Sequence, residues 1–160
     1  MPAKHFRKGN RSRRGATLLE AAFVLLPLVV LVVGSTDFLL GLFVRNTLQY
    51  SVREGCRYAV TSRTGPGMGH IQSIQQHVRA SSLGFVTRDE DVTVKFFDQT
   101  GLGEVTGAGS NAGGNIVQVS INNYRWRWIV AVFAGSPDLN ITVTSSDLLE
   151  PSPNGAPPAP

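Results

Sequence analysis

The sequence predicts an α+β chain: a long N-terminal helix that crosses a membrane, followed by a small antiparallel sheet with a short helix. Three observations carry this. Ala21 to Val44 is a run of 24 residues whose only charge is Asp37. Beyond it, Leu48, Val52, Cys56 and Ala59 recur at helical spacing. Three later segments alternate apolar and polar residues, as half-buried strands do.

The first element is a basic leader. Residues 1–15 hold Lys4, Arg7, Lys8, Arg11, Arg13 and Arg14 and no acid, although the whole chain has a formal charge of +4. The remainder carries nine basic residues against all eleven acids, a formal −2. The basicity therefore belongs to the leader. Nucleic-acid binding is not expected, because a binding stripe should lie on the folded part. Lys and Arg ahead of an apolar run instead orient it with the N-terminus in the cytoplasm.

The run 21–44 spans about 36 Å as a helix, enough for a hydrocarbon core of about 30 Å with some tilt. A secretory signal peptide needs a shorter apolar core and a small-residue cleavage site. Val33-Gly34-Ser35 matches this poorly, and the apolar run continues through Phe43. The segment is read as a retained single-pass helix, with everything from Arg45 onward outside the cytoplasm. Pro27 removes one backbone donor and crowds the carbonyl of Phe23, so a local kink is expected. Asp37, near the outer end, is read as reaching interfacial water; a polar contact with a partner helix is the functional alternative. Glu20 sits just inside the cytoplasmic boundary. If the chain is cut after Gly15, Ala16 gains an ammonium that the Glu20 carboxylate of a neighbouring subunit can neutralise in low dielectric.

From Asn46 to about Ser62 the pattern turns amphipathic, which predicts one helix over 16–62 with its outer half packed on a domain at 63–150. Thr64 to Gly69 ends it with glycine and proline. A short helix is expected over His70–Leu83. Val92, Val94 and Phe96, then Val117, Val119 and Ile121, then Leu139, Ile141 and Val143 mark three strands. Gly101 to Gly114 reads as a long mobile loop between the first two. Residues 151–160 read as a disordered Pro-rich tail.

Chemical constellations are sparse. No Ser, His and Asp stand at a spacing that suggests a nucleophile and base, so no enzyme activity is expected. Gly65, Gly67 and Gly69 lack the lysine of a phosphate loop, and no cofactor is expected. His70 and His77 share a helix face without a third ligand, so no metal site is expected. Asp89-Glu90-Asp91 reads as a solvated turn without calcium-loop spacing. Cys56 is the single cysteine and reads as a small packed residue. Tyr124, Trp126 and Trp128 alternate with Arg125 and Arg127. Two readings stay open: a sheet face covered by arginine stems, or a contact surface for a partner subunit.

Arg13-Arg14-Gly15-Ala16-Thr17 places Glu20 fifth, counting from Ala16. This resembles the leader and cleavage signal of type IV pilin-like proteins. Together with Glu20-Ala21-Ala22 and with Ser51-Val52-Arg53-Glu54-Gly55-Cys56-Arg57-Tyr58-Ala59, it resembles TadE-like proteins of the tight-adherence (Flp) pilus system. The likeness covers about residues 13–61 and extends weakly to Glu150. It implies processing between Gly15 and Ala16 by a prepilin peptidase, a role for Glu20 in assembly, and a pilin-like pseudopilin in the bacterial inner membrane. The implied partners are the lipid bilayer, the peptidase, other pilins or pseudopilins and the pilus assembly platform. Arg53, Glu54, Gly55, Arg57, Tyr58 and Ala59 are the family-motif residues. The chain departs from the family after Tyr124, where Arg125-Trp126-Arg127-Trp128 and a Pro-rich tail stand. The alternatives are an uncleaved envelope scaffold, and a secreted binding domain released near Ser35.

Overall fold

The computed structural model describes residues 11–129, 138–152 and 156–159, with side chains from Gly15 onward. The leader residues 1–10, the apolar 130–133 and part of the Pro-rich tail lie outside the described residues. The chain divides into two compact units, Met1–Leu39 and Leu40–Pro160.

Helix α1 runs over Arg11–Val60 without interruption at Pro27. From Gly15 to Val60 it is long and apolar enough to cross a membrane. Within the first unit its large apolar side chains are exposed in the isolated chain, Leu18, Phe23, Leu26 and Leu31 to the extent of 65–73 %. A helix that is apolar all round has no aqueous face, so this segment suits lipid or other apolar helices.

The second unit begins inside α1. Its stripe Val44, Leu48, Val52, Cys56 and Ala59 is buried in the core. Main-chain bonds from Thr61 to Tyr58 and from Ser62 to Ala59 tighten the last turn, and Ser62 takes the left-handed φ of 52° that ends the helix. Helix α2, His70–Ser81, adds Ile74 and Val78 to the same core. Strands β1 (Val92–Phe97), β2 (Glu104–Val105), β3 (Ile116–Trp126) and β4 (Leu139–Leu148) form one antiparallel sheet in the order β2-β1-β3-β4. Val92, Phe96, Val117, Val119, Ile121, Ile141 and Val143 point into the core, as their alternation requires.

Three features depart from the expectation. The stretch 101–114 is not a bare loop. It contains β2, which pairs Phe96 with Val105, and Lys95 reaches Glu104 at 2.9 Å across that pair. The turn into it is built by Asp98, which accepts hydrogen bonds from Thr100 Oγ1 and from the N–H groups of Leu102 and Gly103. Those donors hold the Asp98 carboxyl below its usual range. Second, β3 runs on past Asn122 to Trp126 through a bulge, where Asn122 and Asn123 face a single β4 residue. Asn123 carries the strain, at φ 56°, and its N–H is taken by Thr142 Oγ1.

Third, the described part of the Pro-rich tail is tied down by polar rather than apolar contacts. The N–H of His70 donates to Ala159 O at 2.8 Å, and Asn111 Nδ2 donates to Pro158 O at 2.8 Å. The first bond answers a local need. Gly69, the residue capping α2, has no side chain to accept from the helix N-terminus, so a carbonyl from the tail supplies the acceptor.

Candidate functional site

Gly15, Ala16 and Glu20 lie on α1 and are exposed. A Cβ added at Gly15 would meet nothing within 4 Å. Glycine costs a helix about 1 kcal/mol relative to alanine, and no close packing in this structure asks for it. Pro27 is exposed on the same helix. Asp37 corrects an expectation: it is 2 % exposed, so its carboxylate does not reach water. A buried carboxylate must be compensated within the protein.

The motif Arg53–Ala59 divides by face. Gly55, Cys56 and Ala59 are buried; Arg53 and Arg57 are exposed; Glu54 and Tyr58 are half-buried. At Gly55, α2 lies close against α1. A Cβ there would collide with Val78 Cγ2 and would also touch Val119 and Ile74. The exposed half forms a small polar cluster with α2. Glu54 lies 3.7 Å from Arg57 and 3.8 Å from His77, whose ring stacks on Tyr58 at 4.6 Å. Such exposed pairs are worth tenths of a kcal/mol, so this cluster does not hold the fold.

His70 and His77 are brought to different surroundings. His70 is fully buried, stacked near Phe96, and its Nδ1 is 3.0 Å from Asn111 Nδ2. The amide donates there, which leaves the imidazole neutral. Burial pushes His70 below its usual 6.5, opposed only in part by the main chain of Ala59. Cys56 is also buried; burial raises its thiol, which donates to Ser145 O at 3.3 Å. A thiol of this kind is unreactive. Asp89, Glu90 and Asp91 form a 3-10 turn paired with Arg79 and Arg88. No group of three or more metal-ligating side chains occurs among the described residues.

The aromatic strand has a definite place. Trp126 and Trp128 stand over Gly41 of α1, with Trp126 Nε1 and the Trp128 ring both 3.5 Å from where a Cβ would be. Glycine at 41 lets both indoles lie against the helix backbone. Arg125 and Arg127 point away, 74 % and 78 % exposed, and share the Asp138 carboxylate at 2.7 and 3.6 Å. Tyr124 meets Phe85 edge to face, and Phe85 in turn meets Phe43. The alternation of the sequence marked these residues, but not that their neighbour is the outer end of the apolar run.

Comparison with known proteins adds one finding. No curated protein and no solved structure matches the chain. Residues 15–57 match the family model described as TadE-like protein. The matched segment begins at Gly15, takes in the exposed apolar helix and ends within the motif that packs α1 on the outer domain. Over that segment, the chain is similar to TadE-like proteins.

Proposed function

We propose that this chain is a single-pass pseudopilin that acts in assembly of tight-adherence (Flp) pili or the associated secretion machinery. In this reading the role is structural. The observation that carries the reading is the coincidence of the TadE-like match with α1, an apolar helix near the N-terminus whose large apolar side chains between Leu18 and Val33 are exposed.

In this reading a prepilin peptidase removes the leader after Gly15 at the cytoplasmic face of the inner membrane. The exposed helix surface then packs with other pilin helices. The Ala16 ammonium and the Glu20 carboxylate of adjacent subunits neutralise one another where the dielectric is low. An unencumbered Gly15 suits a site selected for access by an enzyme rather than for packing.

N-terminal sequencing of the protein from cell envelopes tests this. A mature chain starting at Ala16 is expected, and Glu20→Gln should remain inserted but enter assemblies poorly. An intact N-terminus means an uncleaved scaffold, and a start near Ser35 means a secreted domain; either refutes the proposal.

A further inference from the structure

A small polar cluster joins α2, the loop before β3 and residues 156–159, and its two side chains, His70 and Asn111, are both buried. Asn111 Nδ2 has two hydrogens, and both are used. One goes to His70 Nδ1 at 3.0 Å, the other to Pro158 O at 2.8 Å. The Pro158 carbonyl fixes which way the amide points. Turned over, the amide would set Oδ1 against that carbonyl, acceptor against acceptor. His70 Nδ1 must therefore accept, so the neutral ring carries its proton on Nε2. The next carbonyl along, Ala159 O, accepts from the His70 N–H at 2.8 Å. Two consecutive carbonyls thus strap this segment across the start of α2.

A solvent proton added to Nδ1 brings two donors face to face. Asn111 Oδ1 is buried and has no hydrogen-bond partner, an acceptor held in reserve. Half a turn of the amide offers that oxygen to the new Nδ1–H, and the same turn withdraws Nδ2 from Pro158 O. We propose that residues 156–159 are a proton-released strap: the Pro158 carbonyl and a proton on His70 compete for the Asn111 amide. With Pro158 unseated, the adjacent Ala159 carbonyl loses its anchor, and the first turn of α2 opens to water. Hydration of the charged ring then offsets the cost of charging it while buried. The coupling is reciprocal, so whatever seats the strap withholds the proton. Neighbouring charges do not intervene. The ring meets the main chain of Ala59 from α1 and the Phe96 ring from β1, at 6.3 Å between centroids. The charged and titratable groups of these elements and of α2 are engaged elsewhere: Arg57 and His77 with Glu54, Arg79 with Asp89, and Lys95 with Glu104.

The test uses the full-length protein in detergent with a nitroxide spin label on Ala156→Cys. Ala156 is exposed and the native Cys56 is buried, so labelling is selective. The label should be immobilised at pH 7.5 and mobile at pH 5. The ratio of mobile to immobile label should change by up to about tenfold per pH unit, as for one proton. Its midpoint should coincide with titration of the His70 ring followed by NMR. Far-UV circular dichroism and the slow hydrogen exchange of the β3 amides should hold over the same range, which separates release from unfolding. Asn111→Asp keeps the shape of the side chain and removes its donors, so its label should be mobile already at pH 7.5. His70→Gln cannot take up the proton, and its label should not respond to pH. The strap is overturned by a label equally mobile at both pH values, by a pH response that survives in His70→Gln, by an immobile label in Asn111→Asp, or by release that occurs only with loss of β3 protection.

Discussion

Gly55→Ala tests whether the TadE-like motif is a packing device. The new methyl group would collide with Val78 Cγ2. Val78 is fully buried on α2, and its β-branched side chain has few rotamers to move into. Overpacking of this kind costs about 1–3 kcal/mol. Alanine returns about 1 kcal/mol through helix propensity. With a rigid neighbour the upper part of the range applies, so a net loss of about 1–2 kcal/mol is expected, or about 4–10 °C in the melting of the outer domain. The assay is thermal unfolding of the full-length protein in detergent, followed by circular dichroism. Gly34→Ala is the control, since nothing lies within 4 Å of its added carbon, and it should lower nothing. Val78→Ala alone leaves a cavity and should cost about 2–3 kcal/mol. Combined with Gly55→Ala it should cost less than the sum, with a coupling of about 1–2 kcal/mol. A Gly55→Ala protein that melts at or above the parent temperature would refute tight packing of α1 on α2 at this point.

Two further outcomes concern the buried polar cluster at the start of α2. His70 is held below 6.5 in the folded state, so between that lowered value and 6.5 the unfolded chain binds more protons than the folded one. Stability should be full above about pH 6.5 and fall as the pH drops through this window; melting temperatures measured from pH 7.5 to 5 check this, and His70→Gln should flatten the dependence. Asn111→Ala removes the donors to His70 Nδ1 and Pro158 O, at a cost of about 1–3 kcal/mol. The His70 amide, which is bonded to Ala159 O, should then exchange its hydrogen faster; unchanged exchange would mean the tail is held by other contacts.

Local pattern determined much of this protein. The apolar run at 21–44 has no polar face, and any helix built from it must show lipid-compatible surface all round. Leu48, Val52, Cys56 and Ala59 share a helix face through 3.6-residue spacing alone, and that face is the one buried. The strand alternations placed Val92, Phe96, Val117, Val119, Ile121, Ile141 and Val143 in the core for the same reason, whereas Val94 is half-buried and Leu139 exposed. Tertiary structure decided what spacing does not encode. Strand β2 is two residues long and exists only because β1 offers it an edge. The bulge at Asn122–Asn123 follows from the register of β3 against β4. Residues 158–159 are held by His70 and Asn111, partners 47–89 positions away, through backbone carbonyls that every residue possesses and no sequence pattern marks. Trp126 and Trp128 reach Gly41 for a similar reason: the return of β3 to the end of the apolar helix is a contact between distant segments, and only the folded chain brings them together.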